Sequence, residues 1–194
     1  MKKKMYFIVI TYIILICSAC SSNEETYTYG GVRETAVDGR TFQLEDIPES
    51  PAEETLSNNF LYAITGEFDK MNNILADIDS HNISIENEKK AFKEGEYVES
   101  YIIHEISTLT KDEFSQKKTT SGETNELYYD NWEHIVDTYA LEHFEVIRVN
   151  LTIVRSEKAL NSNPQWDDGT YSRSFIVGKS ATEKQYKIYD FGFM

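Results

Sequence analysis

The chain is predicted to be α+β, with helices first and an antiparallel sheet that ends in a C-terminal meander. Three observations predict it. Phe144–Val154 alternates, with Ile147, Val149, Leu151 and Ile153 on one face and Arg148, Asn150 and Thr152 on the other, the period of a half-buried strand. Thr170–Val177 and Gln185–Phe193 are rich in Tyr, Phe, Ile, Val and Thr, which suit a pleated surface, and a polar segment of hairpin-loop length joins them. Upstream, Ser50-Pro51-Ala52-Glu53 combines a capping box with proline at the first helical position, a strong helix start. Helices before strands is the order of an α+β domain, with the helices expected on one face of the sheet.

The 194 residues suffice for one domain of ordinary size and an address segment. With 40% hydrophobic residues, 13 Tyr and 10 Phe, a packed core is available. The formal net charge is -14; losing Lys2, Lys3 and Lys4 with a signal segment leaves 16 basic against 33 acidic residues, or -17. Phosphate backbones and anionic head groups repel such a chain, which argues against nucleic-acid binding. Both cysteines, Cys17 and Cys20, lie in the first twenty residues, so the body carries no disulfide and no thiolate metal site.

Residues 1–22 hold the most specific signal. Lys2-Lys3-Lys4 is a positive n-region, and the apolar run Met5–Ile16 falls short of the roughly 20 residues a spanning helix needs. Ser18 and Ala19 precede Cys20, and the chain turns polar at once with Ser21-Ser22-Asn23-Glu24-Glu25. This stretch resembles the lipobox of bacterial lipoproteins, with Cys17 where that family usually has an aliphatic residue. The resemblance implies a signal peptide over 1–19, acylation of Cys20 and a lipid anchor on the outer face of the cell membrane. Two acyl chains would hold stably, since each buried methylene contributes about 0.8 kcal/mol.

Residues 20–49 read as a tether that lifts the domain off the membrane. Asp38-Gly39 between two short β-like runs suits a hairpin, and a solvated spacer fits equally well. The folded domain is expected over 50–194. Leu56, Phe60, Ala63 and Ile64 follow the Ser50 cap at helical spacing; after Gly66, Phe68, Met71, Leu75 and Ile78 predict a helix over Glu67–Asp79 that ends at Ser80-His81-Asn82. Asn87–Lys93 reads as a short polar helix. Val98–Leu109 fits helix and strand, and the capping box Thr110-Lys111-Asp112-Glu113 just after it favours the strand. Ser115–Thr124 is polar and loop-like. Tyr128, Trp132, Ile135 and Tyr139 predict an amphipathic helix over Asn125–Thr138, with Trp132 pointing inward, and Arg155–Gly169 reads as a link with turns.

No catalytic, cofactor or metal motif is present. His104-Glu105 lacks a second histidine one turn on, where Thr108 stands. Asn161–Gly169 has the oxygen ligands of a calcium loop without its closing acid, and a turn is the better reading. His134 lies near Asp137 and is a candidate base only if it meets a cavity. Phe60, Phe68, Trp132, His134, Tyr139, Phe175, Tyr189 and Phe191 are the candidate lining of a pocket between helices and sheet, or else plain core.

The order of elements, the Gly66-Glu67-Phe68-Asp69-Lys70-Met71 join and the closing Tyr186-Lys187-Ile188-Tyr189-Asp190-Phe191 strand are similar to NTF2-like (SnoaL-like, cystatin-superfamily) domains. The resemblance covers Ser50–Met194 and implies a curved sheet wrapped round helices as a cone-shaped pocket, used by some members for catalysis and by others only for binding. The expected function is a membrane-anchored envelope lipoprotein whose domain binds a small ligand or an envelope protein, without a cofactor. The alternatives are a pocket enzyme using acid–base chemistry and an immunity-type lipoprotein that masks a basic toxin.

Overall fold

The computed structural model describes residues 27–115, 131–162, 164 and 167–190. Cys20, Tyr128 and Phe191 therefore lie outside the described residues, as do the 115–124 loop beyond Ser115 and Asn163, Gln165 and Trp166 of the loop before Gly169. The described fold is α+β. A six-stranded sheet runs in chain order: β1 (Glu34–Val37), β2 (Arg40–Leu44), β3 (Val98–Thr108), β4 (Leu141–Arg155), β5 (Gly169–Ser180) and β6 (Lys187–Asp190). Strands β4, β5 and β6 form the expected antiparallel meander, and β3 occupies the segment read as a strand.

Two expectations change here. The sheet is mixed, because β2 runs parallel to β3. Parallel neighbours need a long crossover, and the helices α1 (Pro51–Thr65), α2 (Phe68–Ile74) and α3 (Asp79–Lys93) form it. The folded unit also begins before Ser50. Asp38 and Gly39, with φ of 50° and 81°, make the tight hairpin turn, and β2 buries Phe42 and Leu44 in the main core. Tyr29 packs against that core as well, and the Tyr27 hydroxyl donates to Glu54 Oε2 on α1.

Helix α1 starts as its cap predicts. Ser50 Oγ accepts from Glu53 N at 3.1 Å, and Glu53 Oε2 accepts from Glu49 N at 2.7 Å. Its stripe Ala52, Leu56, Phe60 and Ile64 is buried on the sheet. Gly66 ends it at φ 75°, and a Cβ there would sit 2.9 Å from the Phe92 ring, so glycine serves both backbone and packing. The next expected helix stops at Ile74, short of Asp79. Leu75 turns extended and bridges Ile188, and Ala76 N donates to Ile188 O at 2.9 Å. Paired with the short strand β6, Leu75 is buried in the main core. The Ser80-His81-Asn82 stop is in fact the first turn of α3, of which the polar helix Asn87–Lys93 is the second half.

Helices cover both faces of the sheet. The main core joins α1–α3 to Ile103, Ile147, Val149, Leu151, Phe175, Val177 and Ile188. The opposite face carries Ile176 and Tyr189, which pack with Ile135 of α5 (Asn131–Thr138), Leu141 and Ala76. Short helix α4 (Lys111–Ser115) has the expected capping box, with Thr110 N donating to Glu113 Oε2 at 2.8 Å. An additional helix, α6 (Glu157–Asn161), occupies the Arg155–Gly169 link, capped by Ser156 Oγ.

Trp132 points inward as expected, lying between Phe114 (4.8 Å, edge-on) and Phe144 (5.8 Å, stacked), but it is only half-buried. Trp132→Ala should therefore cost about 2 kcal/mol, below the 3–5 of a fully buried aromatic. Urea unfolding measures it; a loss under about 0.5 kcal/mol would place the ring on the surface.

Candidate functional site

The candidate pocket residues do not converge. Adjacent residues of a strand point to opposite faces. Phe60, Phe68 and Phe175 belong to the main core, whereas Tyr189, Tyr139 and Trp132 belong to the cluster on the other face. His134 is exposed on α5, where its Nδ1 meets Thr138 Oγ1 at 3.4 Å, and it does not line either of the two clefts between α2 and α3. The two clefts of about 280 and 160 Å³ lie outside the core, side by side between α2 and α3, and of the expected lining only Phe68 reaches them. His104 lies on the exposed outer sheet face, its Nδ1 2.7 Å from Glu45 Oε2 and its Nε2 2.8 Å from Thr152 Oγ1. That row has the atoms of an acid–histidine–hydroxyl relay, but it lies on a flat exposed face.

A different group of residues does come together, at the end of the inner sheet face. The series Val149, Leu151 and Ile153 on β4 continues on that face to Arg155. Register sets Tyr101 of β3 beside Ile153, Tyr171 of β5 beside Leu151, and Arg173 beside Val149, so all four share the apolar face. Phe60 from α1 packs beside this group, edge-on to Tyr101 at 5.1 Å and to Phe175 at 5.9 Å. Glu88 comes from α3, one turn from both Ile85 and Phe92 on the helix's inward stripe.

The rim is pinned. Ser156 N donates to Tyr97 O at 2.9 Å and Ser156 Oγ to Gly95 O at 2.8 Å, while Lys158 Nζ donates to Glu94 O. These bonds tie the end of β4 to the α3–β3 connection, and so hold Arg155 against the helix that bears Glu88. Arg155 N also donates to Asp168 Oδ1 at 2.7 Å, and the Tyr171 hydroxyl to Asp167 O at 2.9 Å.

Glu88 is open to water yet recessed. Crowding by protein pushes its carboxyl up to about 7, against the opposing pull of Arg155. Burial pushes the Tyr101 phenol up to about 12; the Glu88 charge adds to this, and Arg155 and Arg173 oppose it. The Arg173 guanidinium is lowered, by burial first and also by repulsion from Arg155. The Arg155 Nε is buried, and among the described residues it has no hydrogen-bond acceptor.

Two guanidinium forks, a phenol and a carboxyl that titrates near neutrality can hold an oxyanion or exchange a proton with a bound molecule. Among the described residues no three His, Cys, Asp or Glu side chains are placed to hold a metal ion. The sequence did carry a signal for this site. Glu88 interrupts the stripe His81, Ile85, Phe92, and Arg155 and Arg173 stand in strand positions whose neighbours on the same face are apolar. A charge where the period demands a hydrophobe marks each of them. Compared with protein-family models, with curated proteins and with solved structures, the chain finds no match.

Proposed function

We propose that this chain is a lipid-anchored protein of the bacterial envelope, held by acylated Cys20, whose domain binds a small ligand where Glu88, Tyr101, Arg155 and Arg173 meet. On this reading the helices and sheet form a cone of the NTF2-like kind, with the polar cluster towards its open end. The observation that carries it is the buried Arg155 Nε, which has no acceptor among the described residues. Leaving such a donor unmade costs about 1–3 kcal/mol, and a ligand that supplies the acceptor gives a reason to keep it. The raised Glu88 also suits a general acid or base, which favours acid–base catalysis as the second reading.

A binding cluster and a structural one differ in what its removal does to stability. Glu88 binds a proton more tightly in the folded chain, so its stabilising contribution is complete below its ordinary value of 4.5 and is lost as pH rises through about 7. Glu88→Gln should flatten that decline and raise the melting temperature at pH about 8. The double variant Glu88→Gln/Arg155→Met should be as stable as the wild type or more so, because it removes a carboxyl held above its ordinary value and a buried Nε without an acceptor among the described residues. A loss above about 1 kcal/mol in the double variant would make the cluster a structural network and end the binding reading.

A further inference from the structure

The polar row on the outer face of the sheet has its own design, independent of the Glu88 cluster on the inner face. A bulge in β3 makes room for it. Ile103 pairs with Leu151 and Glu105 with Asn150, the next residue along β4, so His104 has no opposite residue in the register. The extra residue lets Ile103 and Ile106 both enter the main core, and the ring of His104 reaches sideways to Thr152 instead. Glu45, just past β2, is held beside that ring. Its N donates to Ile103 O at 2.9 Å, and the next side chain, Asp46, accepts from Ile106 N through Oδ2 at 3.1 Å. Thr152 and Thr170 are direct cross-strand partners on β4 and β5.

The donors and acceptors of the row fix its order. Glu45 Oε2 lies 2.7 Å from His104 Nδ1, His104 Nε2 lies 2.8 Å from Thr152 Oγ1, and Thr152 Oγ1 lies 2.8 Å from Thr170 Oγ1. An ionised carboxylate only accepts, so Glu45 holds the neutral ring with its proton on Nδ1. Nε2 is then the acceptor, the Thr152 hydroxyl donates to it, and the Thr170 hydroxyl donates to Thr152. We infer that Thr152 is an activated hydroxyl that takes an acyl group from a reactive ester, with His104 as its general base and Glu45 as the positioning residue. In that step a bond forms between Thr152 Oγ and the acyl carbon, and the bond from that carbon to the leaving oxygen breaks. The hydroxyl proton passes to His104 Nε2 and on to the departing alkoxide or phenoxide. Side chains of His104 and Glu45 are 38% and 46% exposed, so a small donor reaches the row from solution. Neither cleft between α2 and α3 adjoins it, so it suits a single acylation of Thr152 and not repeated turnover of a held substrate.

Treatment of the full chain in detergent with p-nitrophenyl acetate near neutral pH tests this, read by tryptic digestion and mass spectrometry. The tryptic fragment Val149–Arg155 has Thr152 as its only hydroxyl, so an acetyl group on its side chains reports that residue alone. One acetyl group should appear there. His104→Gln should slow its appearance about a hundredfold, the scale of a lost general base. Thr152→Val should abolish the label and Thr152→Ser should keep it. Glu45→Ala should slow labelling about tenfold or more, and in imidazole nitrogen NMR it should release the His104 ring from the Nδ1–H tautomer, which a merely structural role would not do. An unlabelled fragment, labelling as fast in His104→Gln as in the wild type, or an acetyl group on His104 alone would overturn the inference. A wild-type His104 ring protonated on Nε2 would overturn it too. None of these outcomes touches the Glu88 cluster, so the binding reading stands or falls separately.

Discussion

A chain cut to residues 50–194 is expected to lose cooperative unfolding. The cut removes Phe42 and Leu44, among the most deeply buried side chains, and leaves the space they fill beside Tyr101 and Ile103. Emptying a phenylalanine and a leucine from a core costs about 5–8 kcal/mol together, against a total stability of about 5–15 for a domain of this kind. Polar ties go as well: Glu45 N donates to Ile103 O at 2.9 Å, and Asp46 Oδ2 accepts from Ile106 N at 3.1 Å. Arg40 is lost too; its Nε donates to the Ile64 carbonyl at 2.7 Å, and its guanidinium lies 4.5 Å over Phe92 and 5.3 Å over Tyr97. What remains has β3 as a bare edge. Near-UV circular dichroism and urea titration of the shortened chain check this. A single steep transition with a full near-UV signal would mean that the hairpin only decorates the sheet.

Cys20→Ser is expected to abolish incorporation of radiolabelled palmitate completely, and Cys17→Ser to leave it largely intact. The reasoning is local: a basic n-region, an apolar run too short to span, two small residues, a cysteine and immediate polarity. Once the signal is cut before Cys20, Cys17 is discarded and the mature chain keeps no other thiol. Fractionation alone is ambiguous, since an uncut precursor stays at the membrane through its apolar run. Label that persists in Cys20→Ser, or vanishes only in Cys17→Ser, would remove the anchor from the proposed function.

What the sequence made legible was what local pattern encodes. Ser50 and Pro51 announce α1, Thr110 and Glu113 announce α4, and the alternation of Phe144–Val154 announces β4, because each signal is complete within a few residues. The parallel pairing of β2 with β3 spans more than fifty intervening residues with three helices among them, and nothing in Arg40–Leu44 alone distinguishes it from a free hairpin. The break at Leu75 was hidden for the same reason: Leu75 and Ile78 keep helical spacing, and only the distant Ile188 decides against it. Helix α6 was masked by the turn residues around it. The candidate pocket failed on parity. Phe175 and Tyr189 are both buried aromatics of neighbouring strands, yet they face opposite sides, which composition cannot reveal. Reading each strand for the charge that breaks its alternation would have found Arg155 and Arg173 instead.

The docking of Tyr27 on Glu54 sets the length of the leash. Residues 20–49 read as a spacer long enough to hold the domain well clear of the lipid, but the chain is already bound to α1 at Tyr27. With the anchor at Cys20, seven peptide links remain, and they reach at most about 25 Å when fully extended. With the proposed anchor in place, the domain would stay in a shell close to the head groups, with little radial freedom. At physiological salt, fields from exposed charges fade over about 8 Å, so the repulsion between this acidic body and an anionic surface acts over part of that shell only. A domain anchored in this way would meet its partners within a few nanometres of the bilayer. A longer insert between Cys20 and Tyr27 would enlarge that territory without touching the fold.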